Sequence, residues 1–126
     1  MAKRALITGI TGQDGLHLAA LLLAKDYEVF GVIRGQHNPR RVLVETEFPA
    51  VKLIEADLID STSLIRAVET SQPDEVYNLA SVSLPGYSFR APELTGEVTG
   101  LGTLRLLEAV RLVGGKNTRF YQYQPP

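Results

Sequence analysis

Short apolar runs alternate with longer amphipathic stretches along the whole chain. The short runs are bounded by turn-forming residues, and the stretches between them carry apolar residues at helical spacing. This alternation predicts β-strands joined by α-helices, and therefore a parallel sheet covered on both faces. The predicted strands are Lys3–Thr8, Tyr27–Arg34, Val51–Glu55, Glu75–Leu79 and Thr118–Gln122. The predicted helices are Gln13–Lys25, Arg40–Glu47, Asp60–Ser71 and Pro92–Val113.

The connections between these elements indicate the order of the strands. Crossovers between parallel strands are right-handed, which places five such strands in the order 3-2-1-4-5. In the second strand Val29, Gly31 and Ile33 face one side, while Phe30 and Val32 face the other, as a doubly covered sheet requires. The predicted fold class is α/β, a truncated Rossmann-type doubly wound sheet in one domain.

Polar residues mark the ends of two predicted helices. The run Asp60–Ser63 opens the third helix, and we expect one of its hydroxyl groups to be the N-cap. Pro73 ends that helix, and Gly114–Gly115 is a typical stop for the fourth. A complete sheet of this type has a sixth strand, so the fifth strand is expected to be an exposed edge.

A glycine-rich turn joins the first strand to the first helix. Gly9, Gly12 and Gly15 are three residues apart, a spacing typical of short-chain dehydrogenase/reductase proteins. Glycine allows a tight turn and a close approach of the backbone to a pyrophosphate, and the helix N-terminus then attracts the anion. The strand–loop–helix order predicts a dinucleotide-binding turn. The alternative is an ordinary structural turn.

The ends of the second and third strands bear on the choice of cofactor. An acidic residue at the end of the second strand favours NAD, whereas an arginine favours the 2′-phosphate of NADP. Arg34 stands there and predicts NADP, unless it is simply a solvated arginine. Arg40 and Arg41 are expected on a solvated helix face, with the alternative that they add positive charge to this site. Asp57 and Leu58 follow the third strand, where the fold places the adenine, although Asp57 is also a common turn residue.

The end of the fourth strand is expected beside the nicotinamide ribose. Leu79, Ala80 and Ser81 follow Asn78, and small residues at this position let a cofactor lie close. Ser81 and Ser83 have an alternative role as capping residues of the loop.

The composition excludes several classes of function. The 126 residues carry a formal net charge of −1, which offers no broad basic surface for nucleic acid. Because the chain has no cysteine, it cannot contain a disulfide, a thiolate metal site or a cysteine nucleophile. No apolar run is long enough to span a membrane, and Lys3 and Arg4 lead straight into a strand instead of a signal peptide. We expect a cytoplasmic protein that binds neither nucleic acid nor membranes.

Groups for acid–base catalysis are missing from the expected positions. Short-chain dehydrogenases use a Tyr-x-x-x-Lys pair, and none of the five tyrosines here has a lysine four residues later. His17 on the first helix and His37 in a polar loop are expected to be structural or exposed, and neither has the spacing of a metal site. The sequence therefore predicts no catalytic residue and no metal.

Four segments share their residue pattern with a known family. They are Ala5–Gly15, which contains Gly-Ile-Thr-Gly-Gln-Asp-Gly, and Pro73–Ala80, Gly102–Ala109 and Thr118–Gln122. Together they resemble GDP-mannose 4,6-dehydratase, an NADP-dependent extended short-chain dehydrogenase family, over nearly the whole chain. The Gly-Ile-Thr-Gly-Gln-Asp-Gly segment is more specific than the general signature of the fold.

The resemblance implies positions for the cofactor. It places Thr11, Gln13 and Asp14 at the pyrophosphate loop and Arg34 at the 2′-phosphate. It places Asp57 and Leu58 at the adenine. It also implies that residues 79–83 line the nicotinamide side.

The chain departs from the family pattern at its end and in two loops. The family continues after Tyr121-Gln122 with Ala-Ser-Thr-Ser-Glu, which holds a catalytic Thr and Glu, whereas this sequence reads Tyr123–Pro126. The family's catalytic Tyr and Lys and its nucleotide-sugar domain would lie further on. Ser81 and Val82 replace Ala and Gln, Leu94 stands where many members have Tyr, and residues 35–38 are altered.

These observations lead to one expected function and two alternatives. We expect residues 1–126 to form a partial NADP(H)-binding domain, without the nucleotide-sugar domain and without dehydratase activity. The first alternative is a minimal reductase or hydrolase that uses the same pocket. The second is a non-catalytic interaction module with an empty site.

The fourth helix predicts self-association. It carries more apolar side chains than one sheet face needs, and burying them stabilises a contact by about 25 cal/mol per Å². A homo-oligomer, a dimer or a tetramer, is therefore expected. The side chains concerned are Leu101, Leu104, Leu106, Leu107, Val110 and Val113.

Overall fold

The computed structural model describes residues 2–35, 38–80, 92–114 and 117–122, with only the backbone described for residues 92–99. Strands and helices alternate through this part of the chain, as the hydrophobic pattern predicts. The strands are β1 (Arg4–Thr8), β2 (Glu28–Ile33), β3 (Lys52–Glu55), β4 (Glu75–Asn78) and β5 (Arg119–Gln122). The helices are α1 (Gln13–Ala24), α2 (Arg41–Glu47), α3 (Ser61–Ser71) and α4 (Pro92–Val113).

The five strands form one parallel sheet in the order β3-β2-β1-β4-β5. This confirms the predicted fold class and strand order. In the centre, Thr8 at the end of β1 lies opposite Val32 on one side and Asn78 on the other. The carboxyl ends of the three central strands are therefore level, and the loops that follow them meet at one edge of the sheet.

The sheet separates two apolar cores. Leu6, Phe30 and Val76 face α3 and α4 and pack with Leu64 and Leu106. The other core, on the α1 and α2 side, contains alternate residues of the same strands. Its fully buried members include Ala5, Ile7, Val29, Ala19 and Val44. The division confirms the predicted alternation in β2.

The start of α3 differs from the expectation in its capping group. The N-cap is Asp60, whose carboxylate accepts hydrogen bonds from the backbone N–H groups of Thr62 and Ser63. A hydroxyl was the predicted cap, but the carboxylate of Asp60 reaches both donors, and charge-assisted hydrogen bonds are stronger than neutral ones. The Ser63 hydroxyl instead donates to the Asp60 carbonyl oxygen at 2.8 Å. The helix ends one residue before Gln72, which has a left-handed φ of 43°.

A buried carboxylate and three tyrosines lie at the amino edge of the sheet. Glu75 accepts hydrogen bonds from the hydroxyl groups of Tyr77 at 2.7 Å and Tyr27 at 3.2 Å. The ring of Tyr77 stacks on that of Tyr121, with centroids 4.8 Å apart. Burial, and then the hydrogen bond to Glu75, hold the pKa of Tyr77 well above its usual value. The hydroxyl of Tyr77 is thus engaged at the edge opposite the loops described next.

Candidate functional site

A cavity of about 340 Å³ opens at the carboxyl edge of the sheet, where the loops after β1, β2, β3 and β4 converge. In parallel α/β sheets ligands bind at this edge, at the point where the strand order reverses. That point lies between β1 and β4 here, because the chain runs outward from β1 in one direction to β3 and later returns to β4. The lining residues are Thr8, Gly9, Thr11, Gly12, Val32, Ile33, Arg34, Asn38, Ala56, Asp57, Leu58, Leu79 and Ala80.

The glycine loop is shaped by close backbone contacts. Gly9 has a φ of 75°, and a Cβ on it would lie 2.8 Å from the backbone of Leu79 and Ala80. A Cβ on Gly15 would lie 2.2 Å from the carbonyl oxygen of Gly9. Gly9 is therefore required both by its positive φ and by the space available, whereas Gly15 is required by the space available. Gly12 is the N-cap of α1 and has no side chain that could accept a capping hydrogen bond. The backbone N–H groups in the first turn of α1 therefore face the loop.

Arg34 lines the cavity on its β2 side, and Arg40 contacts the adjoining glycine loop. Arg34 follows β2 and is exposed along the cavity wall. Arg40 donates from Nε to the carbonyl oxygen of Thr11 at 2.8 Å, which ties the start of α2 to the glycine loop. Asn38 fixes this turn, since its side-chain oxygen accepts from the backbone N–H of Arg40 at 2.9 Å. The arrangement concentrates positive charge beside the glycine loop.

The loop after β3 holds Asp57 in a defined position. Its backbone N–H donates to the Ser63 hydroxyl at 3.0 Å, and its carboxylate accepts from the Ile59 N–H at 3.1 Å. Leu58 is buried and belongs to the core beneath α3 and α4. The loop thus presents one carboxylate and one apolar side chain to the cavity.

A buried polar network fixes the turn after β4. The Thr8 hydroxyl donates to the Asn78 side-chain oxygen and accepts from the backbone N–H of Ala80 at 3.2 Å. The Asn78 amide donates to Gln122 at 2.8 Å and to Thr103 at 3.2 Å. Thr8 and Asn78 are almost completely buried. The network therefore joins the carboxyl ends of β1, β4 and β5 to α4 and sets the position of Ala80 on the cavity wall.

The structure brings most of the predicted site residues together. Gly9, Thr11, Gly12, Arg34, Asp57, Leu58, Leu79 and Ala80 all line the cavity. Gly15 shapes the loop from behind, while Gln13 and Asp14 are exposed in the first turn of α1 and do not line the cavity. Ser81 and Ser83 lie outside the described residues, as does His37.

Sequence reasoning missed three contributors to the site. Thr8 is predicted only as the last residue of a strand, although a polar residue at the carboxyl end of a strand itself indicates that the position belongs to a site. Asn38 is predicted to lie in a polar loop and Arg40 on a solvated helix face. Arg40 is exposed as predicted, but its hydrogen bond to Thr11 is not anticipated. Their contacts depend on how that loop folds back toward Thr11, for which the local pattern gives no signal.

Comparison with known proteins identifies the family. The family model for GDP-mannose 4,6 dehydratase matches residues 6–123. The chain belongs to this family. A GDP-mannose 4,6-dehydratase of Vibrio cholerae is 50% identical over 130 residues, which cover 97% of this chain and 35% of the relative. The chain thus spans about a third of the length of the curated relatives it matches.

Two solved structures of nucleotide-sugar and related enzymes share the fold. UDP-glucose 4-epimerase of Thermus thermophilus, in complex with NAD, has a TM-score of 0.70 and 33% identity, covering 87% of this chain and 34% of that one. The Bordetella bronchiseptica enzyme WbmH, in complex with NAD+, has a TM-score of 0.71 and 25% identity, covering 95% and 38%. The family resemblance seen in the sequence is confirmed, together with the epimerase/dehydratase lineage.

Neither a metal centre nor a membrane segment is found in the part of the chain that the structure describes. No group of three or more His, Asp or Glu side chains there is arranged to hold a metal ion. Among the same residues, no helix has the length and hydrophobicity to cross a bilayer.

Proposed function

We propose that this member of the dehydratase family binds NADP(H) in the cavity at the carboxyl edge of the sheet. The observation that carries the proposal is the glycine loop: a Cβ on Gly9 or Gly15 would collide with backbone atoms, so both positions keep the chain close-packed around a helix N-terminus. Such a cradle fits a pyrophosphate, because backbone N–H groups and the helix dipole both favour an anion.

The residues around the cradle fit the remaining parts of the cofactor. Asp57 and Leu58 supply a hydrogen-bond acceptor and an apolar surface for the adenine. Leu79 and Ala80 supply a small, uncharged wall for the nicotinamide ribose. When bound, the cofactor would supply hydride transfer, and the chain's own residues would bind and orient it.

The preference for NADP(H) over NAD(H) rests on positive charge at the end of β2. Arg34 lines the cavity, and the hydrogen bond from the Arg40 side chain to the Thr11 carbonyl oxygen holds a second guanidinium group nearby. The described residues of the cavity wall contain a single carboxylate, Asp57, which lies on the loop after β3. Both solved structures described above hold NAD, so the proposal depends on these arginines and not on the shared fold.

Titration with the two reduced cofactors tests this proposal. NADPH should bind with a change in fluorescence, and Arg34→Gln should weaken it about tenfold, because an exposed charge-assisted contact contributes roughly 1.5 kcal/mol. NADH binding should change little in the same variant. Arg66→Gln on the exposed face of α3 is the matched control. Equal losses for both cofactors would overturn the choice of NADP, and no binding of either would overturn the site.

We further propose that the 126-residue chain by itself does not dehydrate GDP-mannose. Among the described residues that line the cavity, only Arg34 and Asp57 are ionisable, and general acid–base groups typically contribute about 10²–10⁴-fold each. The purified chain with NADP and GDP-mannose should form no 4-keto-6-deoxy product. Product formed in proportion to protein concentration would contradict this, and a reductase or hydrolase activity would favour the minimal-enzyme alternative.

The exposed face of α4 supports self-association. Leu106 is buried in the core, and Val110 and Val113 pack against it instead of forming the exposed face as predicted. Leu101, Leu104 and Leu112 are at least half exposed, and Leu107 is 38% exposed. We infer that these leucines meet a second copy of the chain, since a two-fold contact is the commonest closed assembly. Light scattering should give a mass of twice the 13.8 kDa chain or more. Leu104→Gln should lower it, and Glu47→Gln on the exposed face of α2 is the control. A monomer mass throughout the micromolar range would refute the inference.

A further inference from the structure

α4 lies against the loop that follows β3. A Cβ on Gly102 would lie 2.9 Å from the Cβ of Leu58, so the absence of a side chain at Gly102 lets the helix approach the loop closely. Leu58 is 7% exposed and packs with Leu106 and Ala109 of the same helix. α4 therefore packs behind the part of the cavity wall that is formed by Asp57 and Leu58.

One polar side chain of α4 contacts this loop directly. Arg105 donates from Nη1 to the carbonyl oxygen of Leu58 at 3.2 Å, and the contact is partly buried. From the other side, the Ser63 hydroxyl of α3 accepts the backbone N–H of Asp57, and the Asp60 N–H donates to the Asp57 carbonyl oxygen at 2.9 Å. The loop is therefore held between two helices, with Arg105 as the contribution of α4.

Position along the sheet distinguishes Arg105 from the other arginines. Arg34 lines the cavity and is exposed, so a ligand can reach it. Arg105 is not among the residues that line the cavity, and its contact is to a backbone carbonyl behind the wall. It can act on a ligand only by fixing the loop. Arg111, six residues further along α4, is instead exposed and pairs with Glu108.

We propose that Arg105 is a positioning residue for the adenosine half of the cofactor site. It holds the Leu58 carbonyl so that Asp57 and Leu58 present a preformed surface, and a preformed site avoids the ordering cost of a loop that closes on its ligand. The proposal rests on the proposed function, because it assigns Asp57 and Leu58 to the adenine. It predicts that Arg105 affects adenosine nucleotides without touching them.

The test uses the full chain and adenosine 2′,5′-bisphosphate as the probe, with NADPH alongside. Arg105→Gln should weaken both about tenfold, the lower end of the loss expected for one hydrogen bond from a charged donor. Arg105→Lys, which keeps a charged donor on a long stem, should recover part of the affinity. Arg111→Gln should bind like the unmodified chain. Urea midpoints of all variants separate a local effect from general destabilisation.

Amide hydrogen exchange gives a second measurement that does not depend on ligand binding. Arg105→Gln should speed exchange at the N–H groups of Ile59 and Asp60, while those of β1 stay protected. If the unmodified chain binds neither probe, but Arg105→Gln speeds exchange in the loop, the proposed function fails while the role of Arg105 in holding the loop stands. If the unmodified chain binds and Arg105→Gln binds equally well, or if exchange in the loop is unchanged, the role of Arg105 is overturned.

Discussion

Gly15→Ala should weaken NADPH binding roughly a hundredfold and lower the stability of the chain. The new Cβ would be placed 2.2 Å from the carbonyl oxygen of Gly9 and 2.8 Å from the Cα of Ile10, and neither is the end of a flexible side chain. The backbone of the loop must move to admit the methyl group. Losing two charge-assisted hydrogen bonds to a pyrophosphate, at about 1.5 kcal/mol each, corresponds to roughly a hundredfold in affinity.

The stability cost of the same substitution should be about 1–3 kcal/mol, the usual range for overpacking. Gly100→Ala is the matched control, because Gly100 is a helical glycine with no atom within 4 Å of its ideal Cβ. That variant should gain about 0.5–1 kcal/mol from the higher helix propensity of alanine. Calorimetric titration and urea unfolding measure the two quantities. Gly15→Ala with unchanged affinity would show that the cradle is not the binding site.

Thr8→Val should destabilise the chain by about 2–4 kcal/mol, although valine has nearly the same shape as threonine. The substitution removes the hydroxyl that donates to Asn78 and accepts from the N–H of Ala80. Thr8 and Asn78 are buried, and each buried group left without its partner costs about 1–3 kcal/mol. The turn at Leu79 and Ala80 should loosen as well, so cofactor binding should weaken together with stability.

Thr8→Ser provides the comparison that separates the hydroxyl from the methyl group. It keeps both hydrogen bonds and loses one buried methyl, which typically costs about 0.5–1.5 kcal/mol. Urea unfolding should therefore rank Thr8→Val below Thr8→Ser. The opposite order would mean that packing of the methyl group, and not the hydrogen-bond network, holds β1 to the turn after β4.

The fold could be predicted from the sequence because its signals are local. Apolar periodicity and turn residues identify each strand and helix, and the handedness of crossovers then fixes the strand order. The errors lie at the ends of elements: the predicted second strand includes Tyr27 and Arg34, but β2 runs from Glu28 to Ile33. Hydrophobic pattern reports burial and not hydrogen bonding, so it extends strands by a residue. The N-cap of α3 could not be assigned to Asp60 from the sequence, because several neighbouring polar residues could also have supplied it.

The site was predictable where a residue directly follows a strand. Arg34, Asp57 and Ala80 line the cavity because the carboxyl ends of parallel strands converge. Contacts between segments that are distant in the chain left no local signal. Arg105 and Leu58 are 47 residues apart, and their hydrogen bond depends on how closely α4 packs on the loop. The fold can be deduced from the periodicity of apolar residues, whereas the contact between Arg105 and Leu58 can be recognised only once the packing of α4 on the loop is known.

The central position of β1 determines when the chain can acquire its ligand-binding form. β1 is the first strand to be synthesised, yet its partner on one side is β4, with Thr8 and Asn78 separated by 70 positions. Parallel pairing over such a separation closes late, because the loop entropy is lost before the contacts form. A nascent chain on the ribosome therefore carries a complete glycine loop long before the wall at Leu79 and Ala80 exists. A nucleotide bound at the proposed site would stabilise the chain only after that wall has closed, so it would act on the later steps of folding.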